Sequence, residues 1–224
     1  ARTFAAFGFE AVAAITSITF QNSNAVFGAV HQTAETVRSQ LMSLIEEGGI
    51  ACAKTGMLPT SEVVVEVARL FRETELPAPV VDPVMISSSG HRLMEEGVTE
   101  FLIRELFPVA RLVTPNIPEA ETLTGLTITS EASMREAAVR IRASGARAVL
   151  IKGGHLGGED AIDLLDDEGK VTVFRGRRIP NATLHGSGCI LSAAIAAGLG
   201  GGKSLDAAVA AAKAFVLEEI LRQQ

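Results

Sequence analysis

Tryptophan and tyrosine are missing altogether from this 224-residue chain, and the ten phenylalanines are its only aromatic residues. Nucleic-acid surfaces stack bases on such rings and gather an excess of Lys and Arg around the phosphates. Here 20 basic side chains face 26 acidic ones, a formal charge of −6, so no nucleic-acid partner is expected. Two cysteines, Cys52 and Cys189, are too few for a disulfide framework and fit a reducing cytoplasm. No uncharged apolar run reaches the roughly 18 residues a membrane span needs, so no membrane partner is expected either. ARTFAAFGFE (1–10) lacks the charged-then-apolar layout of a secretory signal. It reads instead as the end of a helix closed by Gly8, and with Ala1 in place of a methionine further residues are expected upstream.

What is present is an ordinary soluble mixture, 47% apolar and 21% charged, long enough to bury one full core. Short β-rich runs alternate with longer helical ones. Strands are expected at 11–20, 50–54, 79–82, 111–114 and 147–151. Helices are expected at 33–47, 60–73, 95–107, 117–125, 131–143, 188–199 and 204–222. A hairpin fits 161–175 around the turn Asp167-Glu168-Gly169. Strands apolar throughout and separated by helices indicate an α/β domain, a mostly parallel central sheet with helices on both faces. No linker, repeat or low-complexity segment divides residues 1–224.

The polar, glycine and proline residues gather just after four of these strands. They are Thr55-Gly56-Met57, Pro83-Val84-Met85 with Ser87-Ser88-Ser89-Gly90, Pro115-Asn116-Ile117-Pro118-Glu119, and Lys152-Gly153-Gly154-His155. Ligands of open parallel sheets bind at that edge. A fifth element, His185-Gly186-Ser187-Gly188-Cys189, runs into an apolar helix. Its glycines allow backbone N–H groups to converge at a helix N-terminus, where an anion is favoured. No Walker A pattern and no GxGxxG after a strand is found.

Each residue also has a plainer reading. A cysteine beside an apolar helix is commonly a small core residue, whereas at a helix N-terminus its thiol pKa falls, leaving thiolate to take a proton. Cys52, inside an apolar run, is read as core. Lys152 is a surface lysine or a point charge for a phosphate. Asp82 ends a buried strand, where an unpaired carboxylate is costly, so a metal, a helix N-terminus or an Asp–Pro turn must relieve it. Asn116 and Glu119 form a capping box or hold a hydrated Mg²⁺, and the two roles are compatible.

The segments TFAAFGFEAVAAITSITFQN (3–22), KTGML (54–58), VVDPVM (80–85), LVTPNIPEAETL (112–123), VLIKGGH (149–155) and HGSGC (185–189) follow one another across almost the whole chain. Together they resemble the ribokinase-like superfamily of small-molecule kinases, in its vitamin kinase branch, and most closely the hydroxymethylpyrimidine/phosphomethylpyrimidine kinases of thiamine biosynthesis. The resemblance implies a ribokinase-like three-layer sandwich, ATP and Mg²⁺ as cofactors, and phosphoryl transfer to a small pyrimidine alcohol. It implies an anion hole at Gly186, Ser187 and Gly188, with Cys189 as catalytic base where related sugar kinases usually carry aspartate. Lys152, Asn116, Gly153 and His185 are assigned to ATP, and Asp82 and Glu119 to Mg²⁺. Gln21, Met57 and Val84 are assigned to the pyrimidine. Expected partners are that pyrimidine and ATP, with a homodimer left open.

Two departures from the family stand out. Its first strand and glycine-rich segment, of the type AGSDSGGGAGIQAD, are expected before Ala1, and Leu184 replaces the usual Thr before the histidine. A pyridoxal or pyridoxine kinase is the nearest alternative, and a non-catalytic pyrimidine-binding protein the more distant one.

Overall fold

The computed structural model describes residues 1–22, 25–87, 90–154, 156–157, 160–179 and 186–222. Six strands make the central sheet: β3 (Lys54–Thr55), β4 (Val80–Val81), β5 (Leu112–Val113), β6 (Ala148–Lys152), β7 (Asp160–Asp167) and β8 (Lys170–Arg177). They lie side by side in that order, with β3 to β6 parallel and the β7–β8 hairpin antiparallel.

Alternation along the strands feeds two cores. Val81, Val113, Val149, Ile151 and Leu164 point to one face, where they meet α3 (Ser61–Glu73), α5 (Ile117–Thr124) and α6 (Glu131–Ala143). Val80, Leu112, Ala148, Leu150 and Leu165 point to the other, against α7 (Ser187–Gly200) and α8 (Leu205–Leu221). The short α1 (Arg2–Ala6) joins this second layer, and Phe7 meets Phe215 edge to face at 5.3 Å. The result is the expected three-layer arrangement. Among the described residues no helix is long and apolar enough to cross a membrane.

Three expectations need correction. The strand expected at 11–20 begins only at Ser17: β1 (Ser17–Gln21) pairs antiparallel with β2 (Val26–His31) as a separate two-stranded sheet. Ahead of it, Ile15 is held by a side chain instead. The Gln40 amide, on α2 (Ala34–Glu47), bonds both the N–H and the carbonyl of Ile15, at 2.9 and 3.0 Å. β2 itself went unforeseen because Gly28 interrupts it; that glycine makes room for the Phe20 ring, whose nearest atom would lie 3.3 Å from a Cβ. The helix expected at 95–107 is composite, with α4 (Val98–Phe101) passing into a π turn (Leu102–Leu106) and a 3₁₀ turn (Phe107–Val109). Pro108 has no N–H to continue the ladder. Cys52 lies before β3, outside any strand; its sulfur packs against Gly200, where a Cβ would sit 3.1 Å away.

Candidate active site

β3 itself and the carboxyl ends of β4, β5 and β6 deliver Lys54, Asp82, Thr114 and Lys152 to one crevice. Asp82, one residue past β4, is 1% exposed and meets all three of the others. Its Oδ1 accepts from Lys152 Nζ at 2.9 Å and from the Thr114 hydroxyl at 3.3 Å. Its Oδ2 accepts from the Ser192 hydroxyl at 3.1 Å, and Lys54 Nζ stands 4.0 Å away. Burial by itself would raise the Asp82 carboxyl. The ammonium groups of Lys152 and Lys54, with the hydrogen bonds from Lys152 and Ser192, more than reverse this and hold it below the ordinary range. Two lysines and two hydroxyls therefore answer the cost that the sequence left open.

Lys152 is no surface lysine, since its side chain is 13% exposed. Burial opposes its charge, but Asp82, Glu119 and Cys189 outweigh that effect and raise its pKa. The backbone beside it is equally constrained. Lys152 N–H donates to the Pro115 carbonyl at 2.8 Å, and Lys152 bridges to Asn116. That aligns α5 with the site. Asn116 caps this helix, its Oδ1 accepting from Glu119 N–H at 2.9 Å while its own N–H donates to Glu119 Oε2 at 2.8 Å. The capping box is real, and it leaves the Glu119 carboxylate buried beside Lys152.

Burial drives the Glu119 carboxyl up to about 6, Asp82 adds to the rise, and Lys152 with the Asn116 and Met85 backbone groups opposes it. A carboxyl raised when folded favours the folded state below its unfolded value and loses that advantage as pH climbs through the folded one. From an ordinary 4.5 to about 6, the difference amounts to about 2 kcal/mol. Between pH 6.5 and 4.5, metal-free wild type should therefore gain up to about 2 kcal/mol in stability relative to Glu119→Gln. Urea unfolding of both proteins across that range checks it; parallel curves would contradict it.

α7 enters the crevice from the opposite layer. Gly186 takes φ +75 at its N-cap, a left-handed conformation costly for other residues. The helices α2, α3, α5, α6 and α8 carry Thr33, Thr60, Asn116, Ser130 and Ser204 as side-chain caps, but among the described residues no side chain caps α7. Its first-turn amides are thus available to an anion. The first turn of α7 also comes close to the cation: a side chain at Gly188 would begin 3.1 Å from Lys152 Nζ.

Cys189 is exposed at the same mouth. Protein packed around it nonetheless pushes the thiol above its ordinary value; Asp82 adds to this, while Lys54 and Lys152 oppose it. The lowered thiol expected at a helix N-terminus is therefore corrected to a raised one.

The other residues singled out by the sequence distribute unevenly. Gly153 follows Lys152 and is buried; Val84 and Met57 are half-buried, Val84 two residues beyond Asp82 and Met57 in the turn after β3. The Met57 carbonyl accepts from the Thr16 hydroxyl at 2.7 Å, tying this turn to the base of the β1–β2 hairpin. Gln21 stands exposed at the end of β1, in the hairpin rather than in the Asp82–Lys152 cluster. His185, Leu184, Ser88, Ser89 and His155 lie outside the described residues.

Lys54, Thr114 and Ser192 were missed. A signal for Lys54 existed, since it precedes Thr55-Gly56 much as Lys152 precedes Gly153-Gly154. Ser192 was signalled by being the one hydroxyl in an otherwise apolar run three residues after Cys189. The buried Thr55 hydroxyl has no partner among the described residues, an acceptor and donor left for a ligand.

Comparison with known proteins agrees with this geometry. The family model described as phosphomethylpyrimidine kinase matches residues 1–224. A hydroxymethylpyrimidine/phosphomethylpyrimidine kinase of Streptomyces coelicolor is 42% identical over 215 residues, covering 96% of this chain and 79% of the relative. The crystal structure of a phosphomethylpyrimidine kinase from Clostridium difficile superposes with a TM-score of 0.86 at 35% identity, over 98% of this chain and 90% of that one. Pyridoxal kinase from Staphylococcus aureus, solved with AMP-PCP and pyridoxal, gives 0.87 at 32% identity, over 96% and 78%.

Proposed function

The chain belongs to the phosphomethylpyrimidine kinase family, and from that premise we propose that its crevice transfers the γ-phosphoryl group of ATP to the hydroxymethyl oxygen of 4-amino-5-hydroxymethyl-2-methylpyrimidine. The resulting monophosphate is a second substrate of the same site, and the activity serves thiamine biosynthesis. The observation that carries this reading is the approach of the uncapped α7 turn to within a few ångströms of Lys152 at the sheet's carboxyl edge.

Phosphoryl transfer asks a protein for alignment and charge neutralisation more than for covalent chemistry. The Gly186–Cys189 amides receive the charge that builds on the moving phosphoryl oxygens, and Lys152 neutralises the phosphates from the other side. Gly153, Asn116 and His185 complete the ATP contacts in this proposal. Gln21, Met57 and Val84 hold the pyrimidine; an amide can both donate to and accept from an aminopyrimidine edge. Cys189 Sγ, as thiolate, takes the proton from the attacking alcohol.

The donor set fits Mg²⁺. Glu119 is a buried carboxylate whose proton affinity is raised by burial, and Asp82 lies close enough to influence it. Two carboxylates suit an ion that keeps its waters and takes phosphate oxygens for the rest. Mg²⁺ held by Glu119 and Asp82 would supply neutralisation of the nucleotide's phosphate charge. A single domain over 1–224, a cytoplasmic location and a homodimer remain parts of the proposal; light scattering on the purified protein reads the last.

A pyridoxal kinase is the one competing reading that an observation favours, because the Staphylococcus aureus structure superposes equally well. Side-by-side assays of ADP release decide between them. We expect kcat/KM for the hydroxymethylpyrimidine to exceed that for pyridoxal by about tenfold or more, the discrimination one lost polar contact can supply. The reverse ratio would make the protein a pyridoxal kinase, and saturable pyrimidine binding without ADP release would make it a binding protein.

A further inference from the structure

Asp163 is a buried carboxylate that the proposed chemistry leaves unused. It sits on β7 directly across from Lys152 in the antiparallel register and is 8% exposed. Its neighbours on the strand account for themselves: Leu164 and Leu165 fill the two cores, and Asp166 binds Arg142 and the Gly169 N–H of the β7–β8 turn. Asp163 is different. Its Oδ1 accepts from the Gly153 N–H at 2.9 Å, and its Oδ2 pairs with the Lys213 ammonium of α8. The carboxylate thus joins the residue after Lys152 to the outer helix layer.

The turn it grips has little freedom. A Cβ on Gly153 would lie 1.8 Å from the Ile162 carbonyl oxygen, so only glycine lets β6 pass this close to β7. Further along, the Arg178 guanidinium donates to the Gly154 carbonyl at 2.6 Å and also reaches the Leu156 carbonyl. Lys152 itself is fixed at its backbone by Pro115 and at its ammonium by Asp82. Of these anchors, the Asp163 contact holds the first backbone N–H after Lys152. A charged acceptor here is stronger than a neutral one, and Lys213 keeps it neutralised inside the protein.

We infer that Asp163, held by Lys213, is a positioning residue for the nucleotide side of the site: it fixes the Lys152-Gly153-Gly154 turn against which the ATP phosphates are bound. The inference rests on the kinase reading above, and it assigns Asp163 no contact with substrate. A purely structural tether between α8 and the sheet would affect both substrates alike. A positioning role would not.

The test is steady-state kinetics on full-length wild type, Asp163→Asn and Asp163→Ala, with KM measured separately for ATP and for the hydroxymethylpyrimidine, alongside thermal melts. Asp163→Ala should raise KM for ATP about tenfold or more, the loss expected for a hydrogen bond to a charged group. KM for the pyrimidine should stay within about twofold. Asp163→Asn, whose carbonyl can still accept from Gly153 N–H, should recover most of the ATP affinity.

If Asp163→Ala does not fold, Lys213→Met replaces it and should raise KM for ATP about threefold or more, because the carboxylate loses the charge that holds it. An unchanged KM for ATP in whichever of these variants folds, or a parallel rise for both substrates, overturns the inference and leaves the kinase reading standing. A wild-type protein that releases no ADP with either vitamin precursor overturns the kinase reading itself. Binding of mant-ATP by wild type and variants then still tests the turn: a tenfold weakening in Asp163→Ala supports the inference, and equal affinity sinks it.

Discussion

Replacing Cys189 with alanine is expected to lower kcat for pyrimidine phosphorylation by about 10²–10⁴-fold, the range a general base contributes. KM for ATP should hardly move, since the helix amides that receive the phosphates stay in place. The pH profile adds a check that a loss of packing could not imitate. Burial pushes the wild-type thiol upward, against the pull of Lys54 and Lys152, so the thiolate is the minor form near neutrality. The rate constant kcat/KM should accordingly climb as pH rises above 7. Cys189→Asp supplies a carboxylate that is already ionised there. It should restore part of the activity lost in the alanine variant and level off at lower pH than wild type. A full wild-type rate in Cys189→Ala, or a flat profile in both active forms, would remove the thiol from the proton-transfer step.

How far the sequence discloses this site depends on distance along the chain. Strands and their ends were legible: Lys152, Asp82, Asn116 and Gly153 fall where apolar runs stop and glycine or proline begins, and the structure brings all four to one edge. What surrounds them was not legible. Asp82 meets Lys152 across 70 residues and Ser192 across 110, so no local pattern could name the groups that keep its carboxylate ionised. Lys54 belongs to a two-residue strand, too short to carry a period of its own. The thiol was misjudged for a related reason. The helix N-terminus is a local feature that lowers a cysteine pKa, whereas the burial and the Asp82 charge that raise it here come from the fold and not from neighbouring sequence. The β1–β2 hairpin shows the same limit in the fold: residues 11–16 have the composition of a strand, but the backbone of Ile15 bonds to the Gln40 side chain and not to a neighbouring strand.

Lys152→Met should produce the other large effect, and it acts on two quantities at once. Activity should fall by about 10²–10³-fold, the cost of removing one preorganised charge from a transition state. Stability should also fall, by about 3–5 kcal/mol, because Asp82 would remain buried with only Lys54, 4.0 Å away, to balance it. A slow, unstable variant would not say which loss causes which. Adding Asp82→Asn separates them. The double variant has no unpaired carboxylate at position 82, and the amide carbonyl introduced there can still accept from the Ser192 or Thr114 hydroxyl. Its stability should return to within about 1 kcal/mol of wild type, since removing both partners of a buried pair is far less costly than removing one. Its activity should stay as low as that of Lys152→Met or fall further. If activity returned together with stability, Lys152 would be a structural counterion of Asp82, and Lys54 would be the cation left to meet the phosphates.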